Sequence, residues 1–144
     1  MADAVTTQVL FNGPRHLVVK LTDVSDGTGM AGVTLVDAQS ATYAVNVQGN
    51  AEVPGVHLKL TRLQYDCAGM KVKLLWDAGT DDTMLVLGGF GTLDFTGIGG
   101  LQNPLSSGAT GSVLVSTIGA AANTTATLVA WFTKGVPNAG GNGG

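Results

Sequence analysis

The sequence predicts an all-β fold, an antiparallel two-sheet sandwich of jelly-roll type with eight or nine short strands. Three observations lead to this prediction. Polar and apolar residues alternate with period 2 in several short segments, turn-forming residues separate those segments, and no amphipathic helix of about ten residues or more is present. With 144 residues, the chain fits one domain that is large enough to bury its own core.

The first third of the chain contains four predicted strands. Asn12-Gly13-Pro14 ends the first of them, because it combines turn formers with a proline that has no amide donor. A glycine-rich loop, residues 23–32, follows the second strand and contains a G-x-G-x-x-G match. A strand-like segment comes after this loop where a dinucleotide site requires a helix, so we interpret the loop as a turn. The four strands are residues 5–11, 16–22, 33–37 and 43–48.

Residues 56–77 show the clearest alternation and predict two longer strands joined by a turn at residues 66–69. In the first of these strands the inward positions change phase, because Leu63 follows Leu60 by three positions. A β-bulge at Thr61-Arg62 restores the alternation. We therefore expect a hairpin in which the two strands are hydrogen-bonded to each other.

The segment after the predicted hairpin, residues 78–111, contains nine glycines and only short apolar runs. It predicts a long glycine-rich loop with one or two short strands. Two closing strands follow, at residues 113–118 and 125–132. Residues 1–134 therefore make one β-sandwich domain, and residues 135–144 are expected to form a flexible glycine-rich tail.

The last predicted strand has apolar side chains on both faces. Such a strand is either central and covered on both sides, or it presents one face to a partner. We assign Trp131 and Phe132 to self-association as a hypothesis.

The composition favours a protein that assembles with other protein. Charged residues make up 12% of the chain, about half of the roughly 25% typical of soluble domains, and the mean hydropathy is +0.30. The formal net charge of -3 gives no basic footprint for nucleic acid. No run of about 18 apolar residues predicts a membrane helix, and no secretory signal pattern is present, so we expect synthesis in a cytoplasm.

The sequence has few residues of the types that catalyse reactions or bind metals, and their spacing does not match a catalytic or metal-binding motif. Cys67 is the only cysteine, so neither an internal disulfide nor a zinc cluster is expected, and its thiol is interpreted as an exposed spectator at the turn. His16 and His57 lack the spacing of a zinc site. No G-x-S-x-G motif occurs, and Glu52 is the only glutamate. The sequence therefore predicts no enzyme activity, no cofactor and no metal site.

Four of the seven basic residues fall in the predicted hairpin: Lys59, Arg62, Lys71 and Lys73. In that hairpin they share the outer face, where like charges repel unless solvent screens them or a partner neutralises them. Three interpretations stay open: a solvated face, a site for an acidic protein surface, and a nucleic-acid site with few charges. We assign the four residues to partner contact as a hypothesis.

Several segments resemble small virion proteins of tailed bacteriophages. Near the N-terminus they are residues 1–6 (MADAVT), 10–15 (LFNGPR) and 24–29 (VSDGTG). Further along the chain they are residues 69–78 (GMKVKLLWDA) and 99–104 (GGLQNP). The similarity extends from the N-terminus to about residue 118.

The resemblance implies a capsid cement, or decoration, protein. Such a protein is a β-sandwich or jelly-roll module on the outer capsid surface of the virion. It binds the major capsid protein as an oligomer, here with a homodimer preferred over a trimer, and stabilises contacts between capsid subunits. The family offers no catalytic motif, and residues 39–55 and the glycine-rich tail depart from its pattern.

A carbohydrate-binding module is the alternative, because jelly-roll sheets also form lectins. A sugar site favours an exposed Trp or Tyr platform beside Asp, Asn or Gln. Trp76 and Trp131 both occupy positions that predict a core or interface role. The capsid role is therefore the preferred expectation.

Overall fold

A computed structural model describes residues 4–47 and 49–134 of the chain. Two antiparallel sheets pack face to face as a sandwich, which confirms the predicted fold class. In chain order, the strands of the described ranges are β1 (Ala4–Asn12), β2 (His16–Asp26), β3 (Val33–Val36), β4 (Val45–Val47), β5 (Asn50–Glu52), β6 (Leu58–Ala68), β7 (Lys71–Trp76), β8 (Asp82–Leu87), β9 (Phe90–Asp94), β10 (Val113–Ile118) and β11 (Ala122–Lys134).

The larger sheet has five strands in the order β1-β2-β11-β6-β9, and the smaller sheet has four in the order β3-β10-β7-β8. The short strands β4 and β5 pair with each other in a separate hairpin. Short 3₁₀ helices occupy Ala41–Tyr43, Gly55–His57 and Thr96–Ile98. None of the helices in residues 4–47 and 49–134 reaches the length and hydrophobicity that a membrane span requires.

The strand pairing shows how the chain wraps into a jelly roll. β7 pairs with β8, β6 with β9, β3 with β10 and β2 with β11, always antiparallel. These four pairs therefore form one long antiparallel ribbon that reverses between β7 and β8. Successive pairs of this ribbon lie in alternate sheets. Within the larger sheet, the pairing of β11 with β6 joins two of the pairs, and within the smaller sheet the pairing of β10 with β7 joins the other two. Two antiparallel sheets wrapped in this way are a jelly roll.

The core lies between the two sheets and is filled from alternate positions of the strands. On β2, Leu17, Val19 and Leu21 are buried, and the residues between them face outward. This period follows from the pleat, which sends successive side chains to opposite faces. Each fully buried aliphatic side chain contributes roughly 1.5–3 kcal/mol relative to an exposed one. The core needs no disulfide, since the single cysteine is a free thiol.

The hairpin expected across residues 56–77 is wrong. β6 lies between β11 and β9 in the larger sheet, whereas β7 lies between β10 and β8 in the smaller sheet. The inward positions of both strands are nevertheless as predicted, because Leu60 on β6 and Leu74 on β7 are both buried in the core. The two apolar rows face each other across the core instead of lying side by side in one ladder. Periodicity identifies the buried face of a strand but leaves its hydrogen-bonding partner open.

The bulge expected at Thr61-Arg62 is present, but it is formed against β11. Trp131 pairs with Arg62 and Phe132 pairs with Leu60, so Thr61 is the extra residue of β6. The Thr61 hydroxyl donates a hydrogen bond of 3.0 Å to the backbone oxygen of Trp131. The bulge therefore keeps the aliphatic side chains of β6 inward on both sides of it.

Residues 78–111 contain two strands, β8 and β9, within the segment where the sequence predicts a long loop with one or two short strands. The part of the chain that the structure describes has eleven strands where eight or nine were predicted; β4 falls within the strand predicted at residues 43–48, and β5, a three-residue strand, was not predicted. The predicted tail, residues 135–144, lies outside the described residues.

A close backbone crossing brings Gly55, shortly before β6, against Gly111, shortly before β10. Gly111 has φ +86°, and a Cβ at this position would lie 1.9 Å from the backbone oxygen of Gly55. The Gly55 amide in turn donates a 2.9 Å hydrogen bond to the oxygen of Ala38. Only glycine permits both the backbone conformation and the close approach at position 111.

Candidate binding face

The outer face of the larger sheet carries a continuous row of side chains across all five strands. The strand register places these residues opposite one another and on the side away from the core. Phe11 is 54% exposed, and Val18 and Trp131 are half-buried. We call this set the Trp131 row: Phe11, Val18, Trp131, Arg62 and Asp94.

Arg62 covers Trp131 in the middle of this row. Its guanidinium carbon lies 5.0 Å from the centre of the Trp131 ring, which is the geometry of a cation–π contact. The bulge produces this contact, because it places Arg62 directly opposite Trp131 in the β6–β11 ladder. A stacked guanidinium keeps its N–H groups pointing sideways, where they remain able to donate to a carboxylate.

Asp94 closes the row at the edge strand β9. The Thr96 hydroxyl and the Thr96 amide both donate to Asp94 Oδ1, at 2.6 and 2.9 Å. These hydrogen bonds lower the pKa of Asp94 below its usual 3.8, and the charge of Arg62 adds a smaller lowering. The carboxylate is therefore ionised at neutral pH and forms the acidic end of a row whose centre is apolar.

A shallow depression of about 440 Å³ lies beside the row, between β11, β6 and β9. Phe90 stands at its border with 83% of its surface exposed. Gly91 faces Tyr65 from the neighbouring strand, and a Cβ at 91 would lie 3.1 Å from the Tyr65 Oη. The depression is lined by Gln64, Tyr65, Asp66, Phe90, Gly91, Thr92, Thr127 and Val129.

The four basic residues assigned to partner contact do not share one face. Lys59 and Arg62 belong to β6 in the larger sheet, and Lys71 and Lys73 belong to β7 in the smaller sheet. Each strand does turn its basic side chains away from the core, as the alternation predicts. Because the two sheets have opposite outer faces, the cluster is two separate pairs.

The two residues assigned to self-association lie on opposite sides of β11. Phe132 is 1% exposed and is packed in the core, so a folded protomer does not present it to a second copy. Trp131 lies on the outer face of the sheet. β11 itself is central, with β2 and β6 as neighbours, so its backbone has no free edge. The self-association hypothesis therefore keeps Trp131 and loses Phe132.

Lys134 is a buried residue that the sequence analysis did not single out. It is 4% exposed and its ammonium group donates to Asn12 Oδ1 and, at 2.9 Å, to the oxygen of Gly13. The same nitrogen lies 5.9 Å from the centre of the Tyr43 ring, and burial lowers the pKa of Lys134. These contacts tie the end of β11 to the turn between β1 and β2. Nothing in the sequence around a single lysine at the end of a strand indicates that the lysine is buried.

Cys67 is buried in β6, which corrects the expectation of an exposed thiol at a turn. Burial, followed by the charge of Asp66, raises the pKa of the Cys67 thiol. A thiol with a raised pKa is a poor nucleophile at neutral pH. No group of three or more His, Cys, Asp or Glu side chains in the part of the chain that the structure describes is placed to hold a metal ion.

No protein-family model, curated protein or solved structure matches this chain. The fold and the candidate face therefore rest on the geometry of this chain alone. The resemblance to capsid cement proteins stays a prediction.

Proposed function

We propose that this chain is a structural virion protein that binds the outer capsid surface as an oligomer and cements contacts between major capsid protein subunits. The sequence resemblance and the low content of charged residues support this role. The observation that carries it is the Trp131 row on the outer face of the larger sheet. That face is the proposed docking surface.

The composition of the face suits a protein partner. Aromatic residues and arginine are enriched in protein interfaces, and tryptophan and arginine dominate their energetic centres. Here Phe11, Val18 and Trp131 provide the apolar part of the row, and Arg62 lies over the indole at 5.0 Å. Lys59 is on the same strand as Arg62 and adds a second cation at the rim. A capsid surface with an apolar patch, and with carboxylates opposite Arg62 and Lys59, is the complementary partner.

Cementing requires no chemical turnover. A protein that binds only the assembled shell stabilises that state by mass action. Many copies on one shell add their binding free energies, and a protomer that spans two subunits gains from effective concentration. A rigid jelly roll with one wide outer face is a suitable module for such a bridge.

Sedimentation with purified shells tests the proposal, and the chain offers a matched control. Lys59→Ser with Arg62→Ser should abolish co-sedimentation, because these substitutions remove both cations that β6 turns to the docking face. Lys71→Ser with Lys73→Ser removes the same charge from the opposite sheet and should leave binding unchanged. Equal loss from the two double variants would show that net charge, and not the proposed face, governs binding. No binding of the wild-type chain would remove the proposal.

The carbohydrate-binding alternative is favoured by one observation, the depression beside the Trp131 row. Phe90 is exposed there next to Asp66 and Gln64, which combines an aromatic surface with side chains that hydrogen-bond hydroxyl groups. A glycan array probed with the wild-type chain and with Phe90→Ser tests it. Signals that disappear in the variant would support a sugar site, and an array without signals would exclude one for the glycans tested.

A further inference from the structure

One edge of the larger sheet, strand β1, is of a kind that proteins usually protect from pairing with other chains. Edge strands expose unpaired backbone groups, and most are kept short or carry charges that prevent pairing with another chain. Three edges of this sandwich follow that rule: β3 has four residues, β8 begins with Asp82, and β9 has five residues and ends with Asp94. The fourth edge, β1, has nine residues, AVTTQVLFN, without a charge or a proline.

β1 is also the most exposed strand of the larger sheet. Among the strands of residues 4–47 and 49–134 it pairs only with β2, and every residue of β1 except the half-buried Val5 is exposed. The exposed residues include Val9, Leu10 and Phe11, which are 42%, 46% and 54% exposed. A long, uncharged edge with exposed apolar residues is a template for strand addition.

The sequence of β1 is complementary to itself when it is read in the opposite direction. About Thr7, an antiparallel copy places Thr6 opposite Gln8 and Val5 opposite Val9. Cross-strand partners share a face of a sheet, so the two valines meet on one face and Thr6 meets Gln8 on the other. All these positions fall within Ala4 to Val9, where the register with β2 is unbroken. No charged partner is needed, because the strand has no charge to neutralise.

We infer that β1 pairs antiparallel with β1 of a second copy about a twofold axis at Thr7, which joins the two larger sheets into one ten-stranded sheet. Such a contact is isologous, as in most homodimers. It buries the exposed side chain of Val9 against Val5 of the second copy. The inference concerns an edge, not the docking face, and stands without capsid binding. It places a contact between copies at the edge strand β1, because both edges of β11 are occupied, and it leaves Trp131 on the outer face.

Size-exclusion chromatography with light scattering tests the inference. The wild-type chain should have twice the 14.5 kDa chain mass. Thr7→Lys should have the single-chain mass at low salt, because two ammonium groups meet at the axis, and added salt should restore part of the dimer. Thr92→Lys, on the opposite edge strand, is the matched control and should stay dimeric. A wild-type monomer or trimer, or a Thr7→Lys variant that stays dimeric at low salt, would overturn the inference.

A cross-link gives a second test that does not depend on weakening the contact. Directly opposed residues in an antiparallel pair have Cα atoms about 4.5–5.5 Å apart, within the range that a disulfide spans. Thr7→Cys should therefore form a covalent dimer under mild oxidation. Thr92→Cys, also at an exposed position but on β9, should not. Equal cross-linking of both variants would contradict pairing at Thr7.

Discussion

The Arg62 guanidinium lies over the Trp131 ring at 5.0 Å, and a one-residue bulge at Thr61 sets this contact. Without the extra residue, β6 would place its buried leucines and its cation in the wrong phase on one side of the bulge. The same irregularity thus completes the core and covers the tryptophan of the proposed docking face.

Removal of the Arg62 side chain should expose Trp131 to solvent. In Arg62→Ala, acrylamide should quench tryptophan fluorescence more strongly than in the wild type, since Trp76 is 2% exposed and contributes little. The free energy of unfolding should fall by about 0.5–1 kcal/mol from the lost cation–π contact. Lys73→Ala, on the opposite sheet, is the control and should not change quenching. An unchanged quenching constant in Arg62→Ala would show that Arg62 does not shield the ring in solution.

The neighbouring aromatic residues of β11 should differ in their effect on stability. Phe132→Ala empties a core position that is 1% exposed and should lower the free energy of unfolding by about 3–5 kcal/mol. Trp131→Ala removes a half-buried surface residue and should lower it by only about 1–2 kcal/mol. Urea unfolding followed by circular dichroism measures both. A larger loss for Trp131→Ala would mean that the two faces of β11 have been assigned in reverse.

Gly111 should not tolerate a side chain. Gly111→Ala forces a Cβ to within 1.9 Å of the Gly55 oxygen in a backbone with φ +86°, so unfolding should become easier by about 3 kcal/mol or more. At Gly97, a Cβ would meet nothing within 4 Å, so Gly97→Ala is the matched control. Thermal unfolding distinguishes them. Equal melting temperatures for the two variants would refute the close crossing of residues 55 and 111.

The pKa of Asp94, the acidic end of the Trp131 row, should depend mainly on the hydrogen bonds from Thr96. Thr96→Val removes the largest cause of the low Asp94 pKa and should raise that pKa more than Arg62→Ala does, measured by NMR titration of the carboxyl carbon. Because the folded-state pKa lies below the unfolded value, Asp94 adds stability above about pH 3.8, and this is lost as the pH falls through the folded-state pKa. A larger rise of the Asp94 pKa in Arg62→Ala than in Thr96→Val would show that the charge of Arg62, and not the hydrogen bond from Thr96, is the main cause of the low pKa.

Local features of this chain could be predicted from the sequence because neighbouring residues determine them. The inward rows of β6 and β7 follow from the period-2 alternation of their residues, and the bulge at Thr61 follows from the spacing of Leu60 and Leu63. The strand partners could not be predicted, because two apolar rows satisfy the same pattern side by side or across a core. The mistaken hairpin then placed Lys71 and Lys73 on the same face as Arg62.

Features that depend on distant segments gave no sequence signal. Lys134 is buried because its ammonium group reaches Asn12, 122 positions earlier in the chain. The free edge of β1 follows from the strand order of the larger sheet, which periodicity does not contain. The candidate face likewise depends on register, since Phe11, Val18 and Trp131 come from three separate strands.

The central claim is that the chain docks on the outer capsid surface through the outer face of its larger sheet. A reconstruction of the assembled particle at side-chain resolution measures this most directly. We predict that the chain lies outside the shell, with Trp131 and Arg62 against the major capsid protein and with Lys71 and Lys73 facing solvent. A particle that lacks the chain on its outer surface, or that contacts it through the smaller sheet, would contradict the account.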